Sequence, residues 1–166
     1  MKTHLYTAIA ALTLTTAAAQ AQDVTFSTRT LTPEAALTAA QAALQSCRDS
    51  GYQAAIAVTD SAGTPIVVLR DRFAGAHTPE TATRKAYTAA SFRMDTTSLG
   101  EATRAGEPTS GIRQVSYILA LGGGLPIEAA GSLVGAIGVS GAPGAEADDA
   151  CGQAGIDAIQ DDLDFE

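Results

Sequence analysis

Two short apolar runs joined by a turn too tight for a crossover constrain this chain most. The runs are Ala54-Ala55-Ile56-Ala57-Val58 and Ile66-Val67-Val68-Leu69, with the turn residues Asp60-Ser61-Ala62-Gly63 between them. Parallel neighbours need a connection of about a dozen residues or more, so these two strands must pair as an antiparallel hairpin. Any sheet built on that hairpin is at least partly antiparallel, which argues against a doubly wound parallel architecture.

The flanking segments supply helices with clear boundaries. Thr32 is placed to cap a first helix, Pro33 occupies its first position, Glu34 its first turn, and Gly51 follows its end. Leu37, Ala40, Leu44 and Cys47 recur at helical spacing and predict its buried face. Thr78-Pro79-Glu80 repeats the same start chemistry and predicts a helix running to about Phe92, after a glycine-containing loop at 71–77. A short helix is expected over 95–104. Strands are expected over 115–121, at Leu125-Pro126-Ile127 and over 132–139, and a closing helix over 145–159 begins among acidic residues that suit a helix N-terminus. The predicted order is α-β-β-α-α-β-β-β-α: an α+β domain with five antiparallel strands. Residues 22–30 read as an extended lead-in and 161–166 as a frayed acidic tail.

Composition narrows the partners. The chain has 166 residues, a formal net charge of −8 and no tryptophan, with 46% hydrophobic residues. That apolar fraction supports a packed core, while the acidic balance disfavours nucleic acid and anionic lipid surfaces. Residues 1–21 have the form of a secretory signal: Lys2, an apolar stretch, then Ala19-Gln20-Ala21 before the expected cleavage. Export to the periplasm or the outside is therefore expected, and no other stretch is long and apolar enough for membrane insertion. In an oxidising compartment Cys47 and Cys151 can form one disulfide between an early and a late helix; the alternative is two separately buried thiols.

Charge is unevenly distributed. Arg70, Arg72, Arg84, Lys85, Arg93, Arg104 and Arg113 form a basic zone, whereas no basic residue follows Arg113. Such a zone suits a small anionic ligand if its arginines converge, and is otherwise a solvated surface. Gly122-Gly123-Gly124 lacks the spacing and the lysine of a phosphate loop. Gly138-Val139-Ser140-Gly141-Ala142 resembles a nucleophile elbow, but Ala142 replaces the second glycine and no histidine follows it. Past the signal, His77 is the sole histidine, which excludes a His-rich metal site. Asp71, His77 and Glu80 remain a candidate cation cluster. His77 is also a candidate axial ligand for haem iron, with Met94, Tyr87 and Tyr117 as lesser candidates. No acid–base pair stands at a defensible spacing, so catalytic residues stay unassigned.

Several segments taken together resemble the GlcG/HbpS family of haem-degrading domains. They are Ile56-Ala57-Val58-Thr59-Asp60-Ser61-Ala62-Gly63 followed by Arg70-Asp71, then Thr83-Arg84-Lys85-Ala86-Tyr87-Thr88-Ala89, then Gly122-Gly123-Gly124-Leu125-Pro126-Ile127, then Gly135-Ala136-Ile137-Gly138-Val139-Ser140-Gly141. They stand in family order and span a domain at 31–160. The loop from Arg70 to Ala76 is longer than the family's short form. The resemblance implies a profilin-like three-layer α/β/α fold with a five-stranded antiparallel sheet, a homo-oligomer, and in some members haem binding or peroxide-dependent haem degradation with iron release.

Two physical expectations follow for the site. The glycine-rich strand at Gly138 can form the floor of a pocket for a flat ligand, and Arg70, Arg84 and Lys85 can rim it with positive charge for the haem propionates, with His77 on the iron. The competing expectations are a binding or sensory module for a small carboxylate using the same arginines, and a structural oligomer whose motifs specify only fold and assembly.

Overall fold

The computed structural model describes residues 24–165; the signal-like segment at 1–21 lies outside them. Helix α1 spans Pro33–Asp49 and leads into the hairpin of β1, Ala55–Asp60, and β2, Pro65–Arg70. Helices α2, Thr78–Phe92, and α3, Thr96–Ala102, follow. A short 3-10 turn at Ser110–Gln114 precedes β3, Gly124–Ala129, and β4, Ser132–Ser140. The chain closes with α4, Ala145–Asp157, and α5, Gln160–Asp164.

The sheet has the order β2-β1-β4-β3, with every neighbouring pair antiparallel. Its two faces are chemically different because successive side chains point to opposite sides. Ile56, Val58, Ile137 and Val139 pack with α1 and α4, forming the larger core. Ala55, Ala57 and Ala136 face Ala82, Ala86 and Ala89 of α2. Helices therefore cover both faces, and small residues bring α2 close to the strands. A Cβ at Gly138 would overlap the Ala82 carbonyl oxygen and come within 2.7 Å of the Ala86 nitrogen, so only glycine lets α2 lie flat on β4 there.

Local chemistry explains the helix boundaries. Thr32 caps α1 by accepting a hydrogen bond from the Ala35 amide, and Asp95 caps α3 by accepting one from the Ser98 amide. Helix α1 buries Ala36, Ala39, Ala40, Ala43, Leu44 and Cys47 but leaves Leu37 exposed. It turns its small side chains toward α4, where a Cβ on Gly155 would stand 2.6 Å from the Ala39 carbonyl oxygen. Cys47 and Cys151 form a disulfide between these helices, with Cα atoms 5.4 Å apart.

Two expectations are corrected. The described sheet has four strands, because 115–121 is not one of them. Tyr117 has a positive φ of 72°, and the segment's polar backbone is engaged by α2 instead: Arg84 donates to the Tyr117 and Ile118 carbonyls, and the Leu119 amide donates to Thr88 Oγ1. The end of the chain is also ordered as α5 rather than frayed, anchored by the buried side chain of Leu163.

Candidate functional site

Four connections meet at one end of the sheet and enclose a cleft of about 610 Å³, within the usual range for small-molecule sites. They are the turn at 51–53 before β1, the loop at 73–78 leading into α2, the approach to β3 at 121–122, and the β4–α4 connection at 140–145. Gly141, with φ 139°, holds two of these together: a Cβ there would stand 2.5 Å from the Gln53 carbonyl oxygen. Tyr52, Phe73 and Leu121 give the cleft apolar surface. Phe73 is 79% exposed and Leu121 51%.

His77 stands on the wall of this cleft at the N-cap of α2, yet its side chain does not cap the helix. Among the described residues its imidazole makes no hydrogen bond, and the side chain is exposed. Gly75 makes room for the ring, since a Cβ there would lie 2.7 Å from His77 Cε1 and 2.9 Å from Nδ1. The imidazole is thus positioned by backbone shape and left chemically uncommitted.

Lys85 also borders the cleft, but it is spoken for. Its ammonium is buried and donates to Asp148 Oδ2 at 2.7 Å and to the Val139 carbonyl at 2.8 Å. Burial pushes the Asp148 carboxyl above its usual range, opposed by Lys85 and by the Ala142 amide, which donates to Asp148 Oδ1. This pair ties α2, β4 and α4 together beneath the cleft. It acts as a structural strut: Lys85 borders the cleft, but its ammonium is taken up by Asp148 and the Val139 carbonyl.

The remaining expected site residues are not brought to the cleft. Arg84 lies on α2 with its guanidinium on two carbonyls and 5.7 Å from the centre of the Tyr117 ring. Arg70 is exposed at the end of β2 and does not line the cleft. Gly138 cannot form a ligand floor, because the backbone of α2 covers it. Of the triple glycine, Gly122 borders the cleft, while Gly123 and Gly124 pack inward: the Gly123 amide donates to Asp149 Oδ1 and the Gly124 amide to Thr96 Oγ1. No group of three His, Cys, Asp or Glu side chains among the described residues could hold a metal ion, so Asp71, His77 and Glu80 do not gather. Asp71 is instead held by Arg48 through two hydrogen bonds of 2.8 and 3.0 Å. The bond from Arg48 holds the Asp71 carboxyl well below the ordinary carboxylate range, at about 2.

Gln53, Tyr52, Phe73 and Leu121 escaped the sequence reading. Phe73 carried a signal, an aromatic in a loop longer than the family form. Gln53 carried none, because its importance lies in what surrounds it: its Oε1 is buried and has no hydrogen-bond partner.

Known proteins share this fold. A double mutant of HbpS from Streptomyces reticuli is 34% identical, with a TM-score of 0.77 over 89% of this chain and 98% of that one. A second HbpS structure is 36% identical, with a TM-score of 0.76 over 86% of this chain and 98% of that one. A PduOC structure solved as a haem complex is 25% identical, with a TM-score of 0.73 over 78% of this chain and 95% of that one. No curated protein matches significantly. Among the described residues no helix is long and apolar enough to cross a membrane. The profile described as haem degrading protein HbpS-like matches residues 31–157, and the chain belongs to that family.

Proposed function

We propose that this protein binds haem in the cleft at the end of the sheet, with His77 as the iron ligand. The observation that carries this reading is the uncommitted imidazole of His77 on a cleft wall shared with Phe73 and Leu121. Haem iron takes an axial side-chain donor, for which imidazole is well suited, and its faces take apolar surface; the residues present fit both. The orphaned Gln53 Oε1 adds a polar contact that the chain itself does not satisfy. The family and the haem complex of the PduOC relative support the same choice of ligand.

The chain's residues have separable tasks. His77 presents a ring nitrogen from the start of α2, while Gly75 leaves the ring room to turn. Phe73 and Leu121 exclude water from the bound face, and the Lys85–Asp148 pair fixes the spacing of α2 and α4 below. Bound haem would supply the redox chemistry for peroxide-dependent degradation and iron release, which we propose on the family match alone. Export rests as a proposal on the signal-like residues 1–21, and assembly into a homo-oligomer on the family.

The test is a haemin titration of the chain from Gln22 onward, followed in the Soret region. Saturable binding that His77→Ala weakens supports the reading. Non-saturating absorbance indifferent to that substitution overturns it.

A further inference from the structure

We propose that Arg72 and Gln53 form a carboxylate-recognition annexe to the cleft, which takes an acidic side arm of the bound ligand. This rests on the haem reading above and names residues other than those the sequence suggested. Beside the cleft lies a recess of about 260 Å³ lined by Arg48, Gln53, Asp71, Arg72 and Phe73. Gln53 and Phe73 border both spaces, so a ligand lying along Phe73 can extend a substituent into the recess.

The assignment to Arg72 follows from accounting for the cations. Arg48 is bidentate on Asp71, and Arg84 and Arg113 donate to backbone carbonyls. Lys85 is held by Asp148, Arg104 pairs with Glu101, and Arg29 is engaged as well. Among the described residues only Arg70, Arg72 and Arg93 keep guanidinium groups without a hydrogen-bond or ion-pair partner. Of these three, only Arg72 borders the cleft or its recess.

Its surroundings prepare it for an anion. Asp71 is the adjacent carboxylate; the two hydrogen bonds from Arg48 occupy it, and the Arg72 guanidinium acts on it only as a weaker, unbonded charge. The Arg72 amide donates to Asp71 Oδ1 and fixes the backbone from which the guanidinium extends. Gln53 supplies the second partner. Its amide nitrogen reaches the Tyr52 carbonyl only at 3.5 Å, a bond it can surrender cheaply, and its oxygen has no partner at all. The amide nitrogen carries two N–H groups, so it can offer one to a carboxylate oxygen while the Arg72 fork takes the other. In a chain of net charge −8 an acidic ligand is repelled overall, so one local fork decides whether it stays.

The experiment compares haemin with its dimethyl ester, added from a dimethyl sulfoxide stock, on wild type, Arg72→Ala, Arg72→Glu and Arg70→Ala. Arg70 carries the same charge two positions away and lies outside both spaces, so it controls for net charge. We expect Arg72→Ala to weaken haemin binding by roughly tenfold, Arg72→Glu by more, and Arg70→Ala to leave it unchanged. The diester should bind all four proteins alike. Equal effects of the Arg70 and Arg72 changes, or a loss of diester binding that matches the loss of haemin binding, overturn the annexe and leave the haem reading intact. Haemin binding that never saturates, or that ignores His77→Ala, removes the haem reading and the annexe with it.

Discussion

Charged side chains in this protein divide into struts and free groups, and position in the sequence does not tell them apart. Lys85 stands in a motif suggestive of ligand binding, yet its partner Asp148 lies 63 positions later and closes it into a buried ion pair. Removing one member of such a pair strands the other, so Lys85→Met should cost about 3–5 kcal/mol in chemical denaturation. Lys85→Met combined with Asp148→Leu should recover most of that loss, and a single substitution as mild as the double would contradict the strut. Asp71 behaves differently, because the bond from Arg48 lowers its folded pKa to about 2 against an ordinary aspartate value of about 3.9. Its contribution is full above about pH 4 and is lost as pH falls through about 2. The stability difference between wild type and Asp71→Asn should be flat above that window and shrink within it; a difference constant down to about pH 2 would contradict the assignment. His77 was legible as the lone histidine beyond the signal-like segment, whereas Gln53 was not, since a buried orphan oxygen is a property of packing.

Elements were more legible than residues, for reasons internal to each segment. Thr32-Pro33-Glu34 carries its own start signal and α1 begins there with Thr32 as cap, whereas α2 begins with His77 at the N-cap and Thr78 as its first residue, its hydroxyl donating to the Gly75 carbonyl rather than capping. The β1–β2 hairpin follows from turn length alone. The segment at 115–121 misled because its apolar run has strand composition, while its fate is decided by Arg84 and Thr88 across on α2. Leu37 misled in the opposite sense: helical periodicity is satisfied by the alanine stripe, and close approach to α4 selects the small face. The contact between α1 and α4 is fastened by Cys47–Cys151, which spans 104 positions. Closing so long a loop stabilises by roughly 4–5 kcal/mol in the chain-entropy model, and loss of a native disulfide typically costs about 2–5. Replacing both cysteines by alanine should therefore lower Tm by about 5–15 °C. An unchanged Tm would show that the helices hold together without it.

At the scale of the whole molecule, the sheet and its two helical layers serve to bring four loops together at one end. Family motifs predicted that architecture well, because glycines such as Gly138 and Gly141 are required by backbone approach and so mark the fold directly. They reach the cleft as well, since Lys85, Gly122, Ser140 and Gly141 border it, but most of those glycines face protein, and His77 and Phe73 stand between the motifs. Whether this cleft is a haem site organised by His77 is decided most directly by the haemin titration. The expected result is a Soret transition that saturates at about one haem per chain and is weakened by His77→Ala but not by Arg70→Ala, which lies outside the cleft. Absorbance that rises without saturation, or that responds equally to both substitutions, would contradict it.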